Sequence, residues 1–186
     1  MCSVYYETLI SEVIQNSYSK SWTSAVNEWD VADCEEDDSL ESSCICGKEN
    51  LRYLFTIRNI INGNILFPIG STCIKKFNRS ELNDVVSINE GLFKLLHAIE
   101  SNQFINLTSD FFSRKLLKHL FDSGAFLPTE YNNFSAQNDF DFILKMFNKR
   151  DKSTITPKQQ KKIRAIIIAQ IRPYLHSILE DKIKKN

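Results

Sequence analysis

The sequence predicts an α+β protein: a cysteine-flanked β-hairpin between an N-terminal helix and a mostly α-helical C-terminal half. Three observations carry this. Tyr5, Tyr6, Leu9, Ile10, Val13 and Ile14 recur at helical spacing. Cys44-Ile-Cys46-Gly47 is followed by an alternating apolar run, then Asn62-Gly63, then Gly70-Ser-Thr-Cys73. Beyond Ser80, apolar residues return at intervals of three and four, separated only by short polar turns.

The N-terminal segment, 1–27, is read as a helix over the first apolar stripe, ending near Ser17 to Ser21. Trp22, Ala25, Val26 and Trp29 could continue it, and Trp29-Asp30-Val31-Ala32 could equally open a strand. The next module spans 28–79. Its lead-in from Asp33 to Ser43 carries too much like charge to pack and is expected to be a solvated loop. From Arg52 to Arg58, Tyr53, Phe55 and Ile57 fall on one side, the period-two pattern of a half-buried strand. Asn62-Gly63 suits a tight hairpin turn. Ile65 to Ile69 is the return strand, and Pro68, which has no N–H to give a ladder, assigns it to an edge. Gly70 ends that strand, and Ser71 or Thr72 caps a short helix with Cys73 in its first turn and Ile74 and Phe77 facing inward.

The helical body spans 80–186. A short helix follows Ser80, and a longer one carries Leu92, Phe93, Leu95, Leu96 and Ile99 with His97 among them. Ser109 is the expected cap of a helix through Phe112, Leu116, Leu117 and Leu120, which Gly124 stops at a left-handed position. Phe140, Phe142, Ile143, Met146 and Phe147 form another amphipathic run. Thr156-Pro157 is a cap with proline at the first helical position, and the helix it opens carries Ile163, Ile166, Ile167, Ile171, Leu175, Ile178 and Leu179 until Pro173 kinks or splits it. No internal repeat or low-complexity linker appears, so 1–186 is read as a single unit.

Composition limits the classes. Residues are 42% hydrophobic with 13 Phe among 186, ample for a core. No uninterrupted apolar stretch reaches about 18 residues, and Met-Cys-Ser-Val-Tyr-Tyr-Glu lacks the charged start and apolar middle of a signal peptide. A cytoplasmic protein without a membrane partner is expected. In a reducing compartment five cysteines fit a metal site plus one spare thiol, Cys2, better than a disulfide framework.

The order knuckle, hairpin, helix is treble-clef-like, and thiolates at both ends of a hairpin suit a structural zinc ion. Cys44, Cys46 and Cys73 are the first three ligands. Gly47 lets the backbone turn beneath the metal. For the fourth, Cys34 would complete a four-cysteine set, and His97 is its rival, although a histidine on an apolar helical face more often bonds a carbonyl. His119 and His176 have no second histidine at metal spacing.

The formal net charge is zero, yet the charge is segregated. Between Ser21 and Gly47 there is no Lys or Arg, while Glu28, Asp30, Asp33, Glu35, Glu36, Asp37, Asp38 and Glu41 accumulate. From Lys149 to Asn186 the balance is strongly basic. These can be plain wet helix faces. Alternatively, cations interleaved with aromatics suit phosphate contact and base stacking. The candidates are Arg52, Arg58, Lys75, Lys76 and Arg79 in the hairpin module and Lys158, Lys161, Lys162 and Arg164 in the C-terminal helix. The acidic block could instead imitate a phosphate backbone in a basic channel of another protein. An enzyme, most plausibly a metal-dependent nuclease, would need a histidine base on the hairpin, and no histidine precedes His97. Paired-carboxylate, glycine-loop and Ser-His-Asp patterns are missing too, with only 5 Gly in the chain.

Glu28-Trp29, Cys44-Ile-Cys-Gly47, Phe55-Thr-Ile-Arg-Asn59, Asn62-Gly63 and Ile69-Gly-Ser-Thr-Cys-Ile74 with Phe77 resemble the small zinc-knuckle proteins of phages and mobile elements in low-GC Gram-positive bacteria. Thr154 to Ile163, with Pro157, Gln159 and Lys162, resembles the basic helix that closes such proteins. The resemblance implies a zinc-stabilised, non-enzymatic protein of a bacterial host's cytoplasm, whose partner is nucleic acid or a nucleic-acid-bound host protein. It would be either an inhibitor of bacterial immunity of the anti-CRISPR type or an accessory to phage replication or recombination.

Overall fold

In the computed structural model, which describes residues 4–185 and the side chains of 4–180, the first elements are α1 (Val4–Gln15), α2 (Trp22–Ala25) and β1 (Trp29–Glu36). β2 (Tyr53–Asn59), β3 (Ile65–Ile69) and α3 (Ser71–Lys75) complete the hairpin region. Then come α4 (Ser80–Glu100), α5 (Arg114–Asp122), α6 (Ala136–Asn148), α7 (Pro157–Ile166) and α8 (Arg172–Lys185). The chain is thus mixed α+β, and it divides into two compact units, Met1–Asn89 and Glu90–Asn186. No helix among the described residues is long and apolar enough to cross a membrane.

In the first unit the sheet is antiparallel in the order β1-β2-β3, so β3 with Pro68 is an edge, as the missing N–H requires. The Phe67–Pro68 peptide bond is cis. Ile57 of β2 lies between Val31 and Leu66, and Phe55 lies opposite both Cys34 and Ile69. Phe55, Ile57 and Ile69 are fully buried in one core with Leu9 and Val13 of α1, Trp29, and Ile74 and Phe77 around α3. Trp22 stands edge-on to both Tyr6 and Phe77, with ring centroids 5.9 and 5.4 Å away. A short 3-10 turn, Val26–Glu28, separates α2 from β1 and settles the helix-or-strand alternative at Trp29.

Two expectations about the sheet are corrected. Asp33 to Glu36 were expected to be loop and instead lie in β1, paired with Thr56, Phe55, Leu54 and Tyr53. An edge strand tolerates such charge because Asp33 and Glu35 are exposed and Glu36 pairs with Arg52, and charge on an edge also discourages pairing with other chains. The β2-β3 turn is not a two-residue turn at Asn62-Gly63. It runs over 60–64, with only Gly63 at positive φ (77°), because Asn59 Oδ1 accepts from the N–H groups of Ile61 and Asn62 and holds a longer loop.

The second unit is helical. α4 is one 21-residue helix rather than the two expected. Gly91, midway along it, lies where a Cβ would approach Leu116 Cδ2 of α5 to 3.0 Å, so the glycine serves close packing. Ser113, not Ser109, caps α5 by accepting from the Leu116 N–H; Phe112 is buried just ahead of the helix. Gly124 has the expected left-handed φ of 84°. Thr156 and Gln159 form a reciprocal capping box with Pro157 at the start of α7. A π-helical turn, Ile167–Ile171, divides α7 from α8 just ahead of Pro173. From that turn, buried Gln170 donates to Asp139 Oδ2 (2.7 Å), which also accepts from Asn132 (2.8 Å), while Lys162 Nζ lies 3.0 Å from Asp139 Oδ1. Burial raises the Asp139 pKa, and the hydrogen bonds from Gln170, Asn132 and Lys162 more than reverse it, leaving the carboxyl below its usual range.

Glu28 is the corresponding buried anion of the first unit. Its carboxylate accepts from the N–H groups of Tyr18 and Ser19 (2.7 Å each) and from Asn59 Nδ2 (2.9 Å), joining the end of α1, the start of β1 and the hairpin. Burial raises its pKa, but bonds from Asn59, Ser19 and Tyr18 prevail and lower it from 4.5 to about 2. The stabilisation from this group is therefore complete above about pH 4.5 and is lost as pH falls from there towards 2. Glu28→Gln should cost about 1.5–3 kcal/mol near neutral pH, the range for hydrogen bonds to a charged group. Urea unfolding of both proteins at pH 7 and near pH 3 should show the gap between them narrowing in acid.

Candidate metal centre

The knuckle is built by its own backbone. Gly47 N–H donates to Cys44 O (2.7 Å) and Cys44 N–H to Lys48 O (2.8 Å), closing a turn in which Gly47 takes φ 89°. Ile45 N–H donates to Pro68 O (2.9 Å), tying the knuckle to β3, and Leu51 N–H to Ser42 O (3.0 Å) closes the loop behind it. β3 then hands the chain to α3, whose N-cap is Gly70 rather than Ser71 or Thr72. A Cβ on Gly70 would meet Leu51 Cδ2 at 3.0 Å, so the residue keeps the two segments together. Cys73 lies in the first turn of α3, as its spacing from Gly70 predicts.

This brings Cys44, Cys46 and Cys73 into one group, all buried, with their sulfur atoms within 4.8 Å of one another. Cys44 Sγ lies 3.7 Å and Cys46 Sγ 3.4 Å from Cys73 Sγ. Disulfide sulfurs are about 2.05 Å apart, so these are not bonded pairs. Tetrahedral bonds of about 2.3 Å to a common ion would place sulfurs roughly 3.8 Å apart, close to the spacing found. Gly70 N–H also points at Cys44 Sγ (3.3 Å), an outer partner that stabilises a thiolate. A hydrogen bond with Cys73 holds the Cys44 pKa down, against burial and with help from the Cys46 and Gly70 N–H groups, at about 5 instead of 9.0. The Cys73 thiol is pushed up by that same hydrogen bond, by burial and by the neighbouring charge. Charge is thus favoured on Cys44 and disfavoured on Cys73, a conflict that a cation beside both sulfurs would relieve. A cleft of about 180 Å³ lies beside the group, lined by Cys44 and Cys73 with Lys48, Arg52, Ser71 and Thr72.

The remaining expected ligands are placed elsewhere. Cys34 sits in β1 opposite Phe55, half-buried, with its sulfur 3.8 Å from Glu35 O, and is not in the group of three. His97 belongs to α4 in the second unit, with Nδ1 3.5 Å from Glu100 Oε2. Cys2 lies outside the described residues.

The expected basic residues separate into absorbed and displayed ones. Arg52 pairs with Glu36 (2.9 Å) and Asp38 (3.5 Å). Arg79 bonds Trp29 O and contacts Asp30 (3.2 Å) and Glu81 (2.8 Å), which makes it a structural clamp on β1. Lys76 Nζ lies 5.0 Å over the Tyr6 ring. Arg58 is exposed in β2 opposite Asp30 and Ile65, and Lys75 is exposed on α3. In the second unit Lys162 is tied to Asp139, whereas Lys158, Lys161 and Arg164 are exposed on α7, with Arg164 5.8 Å over the Phe104 ring. The acidic block is ordered at its centre: Asp37 accepts from Ser39 N–H (2.9 Å), Glu41 N–H (3.1 Å) and Ser42 N–H (2.9 Å), and the bonds from Ser39 and Ser42 hold its carboxyl well below the usual range.

No protein-family model, curated protein or solved structure matches this chain. Sequence reasoning missed the roles of Glu28 and Asp139, because a lone acidic residue gives no signal of burial until its donors, far along the chain, are known.

Purified chain should bind one divalent metal ion tightly, and Cys73→Ser should lose it, as measured by metal analysis after dialysis. Gly47→Ala, which forces a side chain into left-handed backbone, should destabilise the loaded protein by about 1–2 kcal/mol while leaving the metal stoichiometry intact.

Proposed function

We propose that the protein is a non-enzymatic binding protein whose first unit is set by a structural zinc ion in a treble-clef-like arrangement and whose second unit contacts nucleic acid phosphates through α7. Zinc is the reading that a compact group of buried thiolates supports best among common ions, since it favours sulfur ligands and tetrahedral geometry without redox chemistry.

The observation that carries the nucleic-acid reading is on α7. Lys158, Lys161 and Arg164 are all exposed, and none forms an ion pair among the described residues. In the hairpin module, by contrast, Arg52 and Arg79 already have acidic partners, so a phosphate would have to displace them. Three unpaired cations on one helix suit a backbone contact that carries no sequence preference. The resemblance to phage and mobile-element zinc-knuckle proteins extends this reading to nucleic acid held by a host defence enzyme, the setting of an anti-CRISPR-type inhibitor.

Fluorescence anisotropy with a labelled single-stranded oligonucleotide tests the reading. Affinity should fall steeply with salt, and replacing Lys158, Lys161 and Arg164 together by Glu should weaken binding at least about tenfold. The slope of log K against log salt should drop by roughly 0.7 for each phosphate that is no longer neutralised. Binding that ignores salt, or that survives the triple replacement unchanged, would refute the α7 surface.

A further inference from the structure

We infer that the nucleic acid contacted by α7 is single-stranded, and that Tyr131 and Phe134 stack against its bases. The inference rests on the α7 phosphate contact proposed above and goes beyond it by naming the class of strand and the side chains that select it.

The loop 127–135 is wound around one buried side chain. Asn132 Oδ1 accepts from the N–H groups of Thr129 (2.8 Å) and Ser135 (3.1 Å), and its Nδ2 donates to Leu127 O and Asp139 Oδ2 (2.8 Å each). Gln170 Oε1 closes the loop from the other side by accepting from Leu127 N–H (3.0 Å). With its centre so fixed, the loop turns two rings outward: Tyr131 is 93% exposed and Phe134 70%. Phe134 also has φ 56°, next to Asn133 at 55°, two consecutive left-handed residues. That conformation is costly for a bulky side chain, and it is held by the bond from Phe134 N–H to Thr129 O (2.8 Å). A ring shown to solvent from strained backbone adds nothing to the core, which points to a partner with a flat apolar face.

One carboxylate sets this loop beside the cations. Lys162 of α7 lies 3.0 Å from Asp139 Oδ1, while Asn132, between Tyr131 and Phe134 in sequence, donates to Oδ2. Lys158, Lys161 and Arg164 recur on α7 at intervals of three, all exposed. Glu130, exposed next to Tyr131, opposes a phosphate at the loop itself, so the two surfaces divide the contact, cations for the backbone and rings for the bases. Bases in a duplex are stacked on one another, whereas those of a single strand have faces free for a ring.

Fluorescence anisotropy of the full chain with three labelled probes of equal length provides the test: a single-stranded DNA oligonucleotide, the same oligonucleotide as a duplex, and an abasic strand carrying the phosphates alone. At one salt concentration the single strand should bind at least about tenfold tighter than either other probe. Tyr131→Ala and Phe134→Gly should each weaken single-strand binding at least about fivefold, and the salt slope should stay unchanged because no phosphate contact is lost. Tyr131→Phe should keep the affinity. Phe134→Gly should melt no lower than the unmodified chain, since glycine suits a left-handed position, which separates lost binding from lost folding. A duplex or abasic strand bound as tightly as the single strand would overturn the inference while leaving the α7 contact standing, as would single-strand binding indifferent to both ring substitutions. A concentration-dependent dimer that Phe134→Gly abolishes, with single-strand binding intact, would assign the rings to a second copy of the chain and overturn it too. If none of the probes binds at low salt, the α7 reading itself falls and the inference with it, an outcome distinct from the others.

Discussion

Three buried thiols whose sulfurs lie within 4.8 Å of one another impose the constraint on which the first unit depends. Sulfur atoms 3.4–3.7 Å apart cannot all ionise beside one another without a cation, and an uncharged cluster of this kind forgoes the bonds that would hold its segments together. A divalent ion at the centre would replace the hydrogen bond to Cys44 and the burial that together raise the Cys73 pKa with attraction to a shared charge. Such an ion would add a further bond to the contacts that Ile45, Leu51 and Gly70 already make between a four-residue turn and a helix too short to be stable alone. The knuckle's peptide groups are already satisfied, by Lys48, Cys44 and Pro68, so the backbone presents the thiols without needing the metal to organise each bond.

Away from that group, buried charge follows one rule in both units. Glu28 and Asp139 are each surrounded by donors from segments distant in sequence, and in each case the hydrogen bonds outweigh the cost of burial. They act as fasteners whose failure would release several elements at once. Surface charge in the first unit is spent similarly. The acidic strand β1 is answered by Arg52 and Arg79, and Asp37 organises the loop that leads to the cysteines. The polarity that looks in sequence like two surfaces awaiting partners is thus partly internal, and the displayed cations of α7 gain weight by contrast.

Local pattern was legible where a side chain's role depends on near neighbours. Alternation marked β2, Pro68 marked the edge, Thr156-Pro157 marked the start of α7, and Gly124 marked the end of α5. The cysteine spacing identified three residues that the fold brings together. Where the decisive partner is far away, sequence reasoning failed. Asp33 to Glu36 looked unpackable because their pairing with β2 lies across the long knuckle loop. Asn62-Gly63 looked like a tight turn because nothing nearby shows that Asn59 captures two N–H groups of the loop. The single run of α4 was not legible, since the packing of Gly91 against Leu116 that accompanies its unbroken course depends on a residue of the next helix.

The central claim is that a metal at Cys44, Cys46 and Cys73 fastens the knuckle to α3. Hydrogen exchange of the full chain, followed by mass spectrometry with the metal bound and after chelation, tests it most directly. The account predicts that chelation speeds exchange over 42–51 and 69–77 while residues 114–122 of α5 keep their protection. Unchanged exchange over the knuckle and α3 would contradict it.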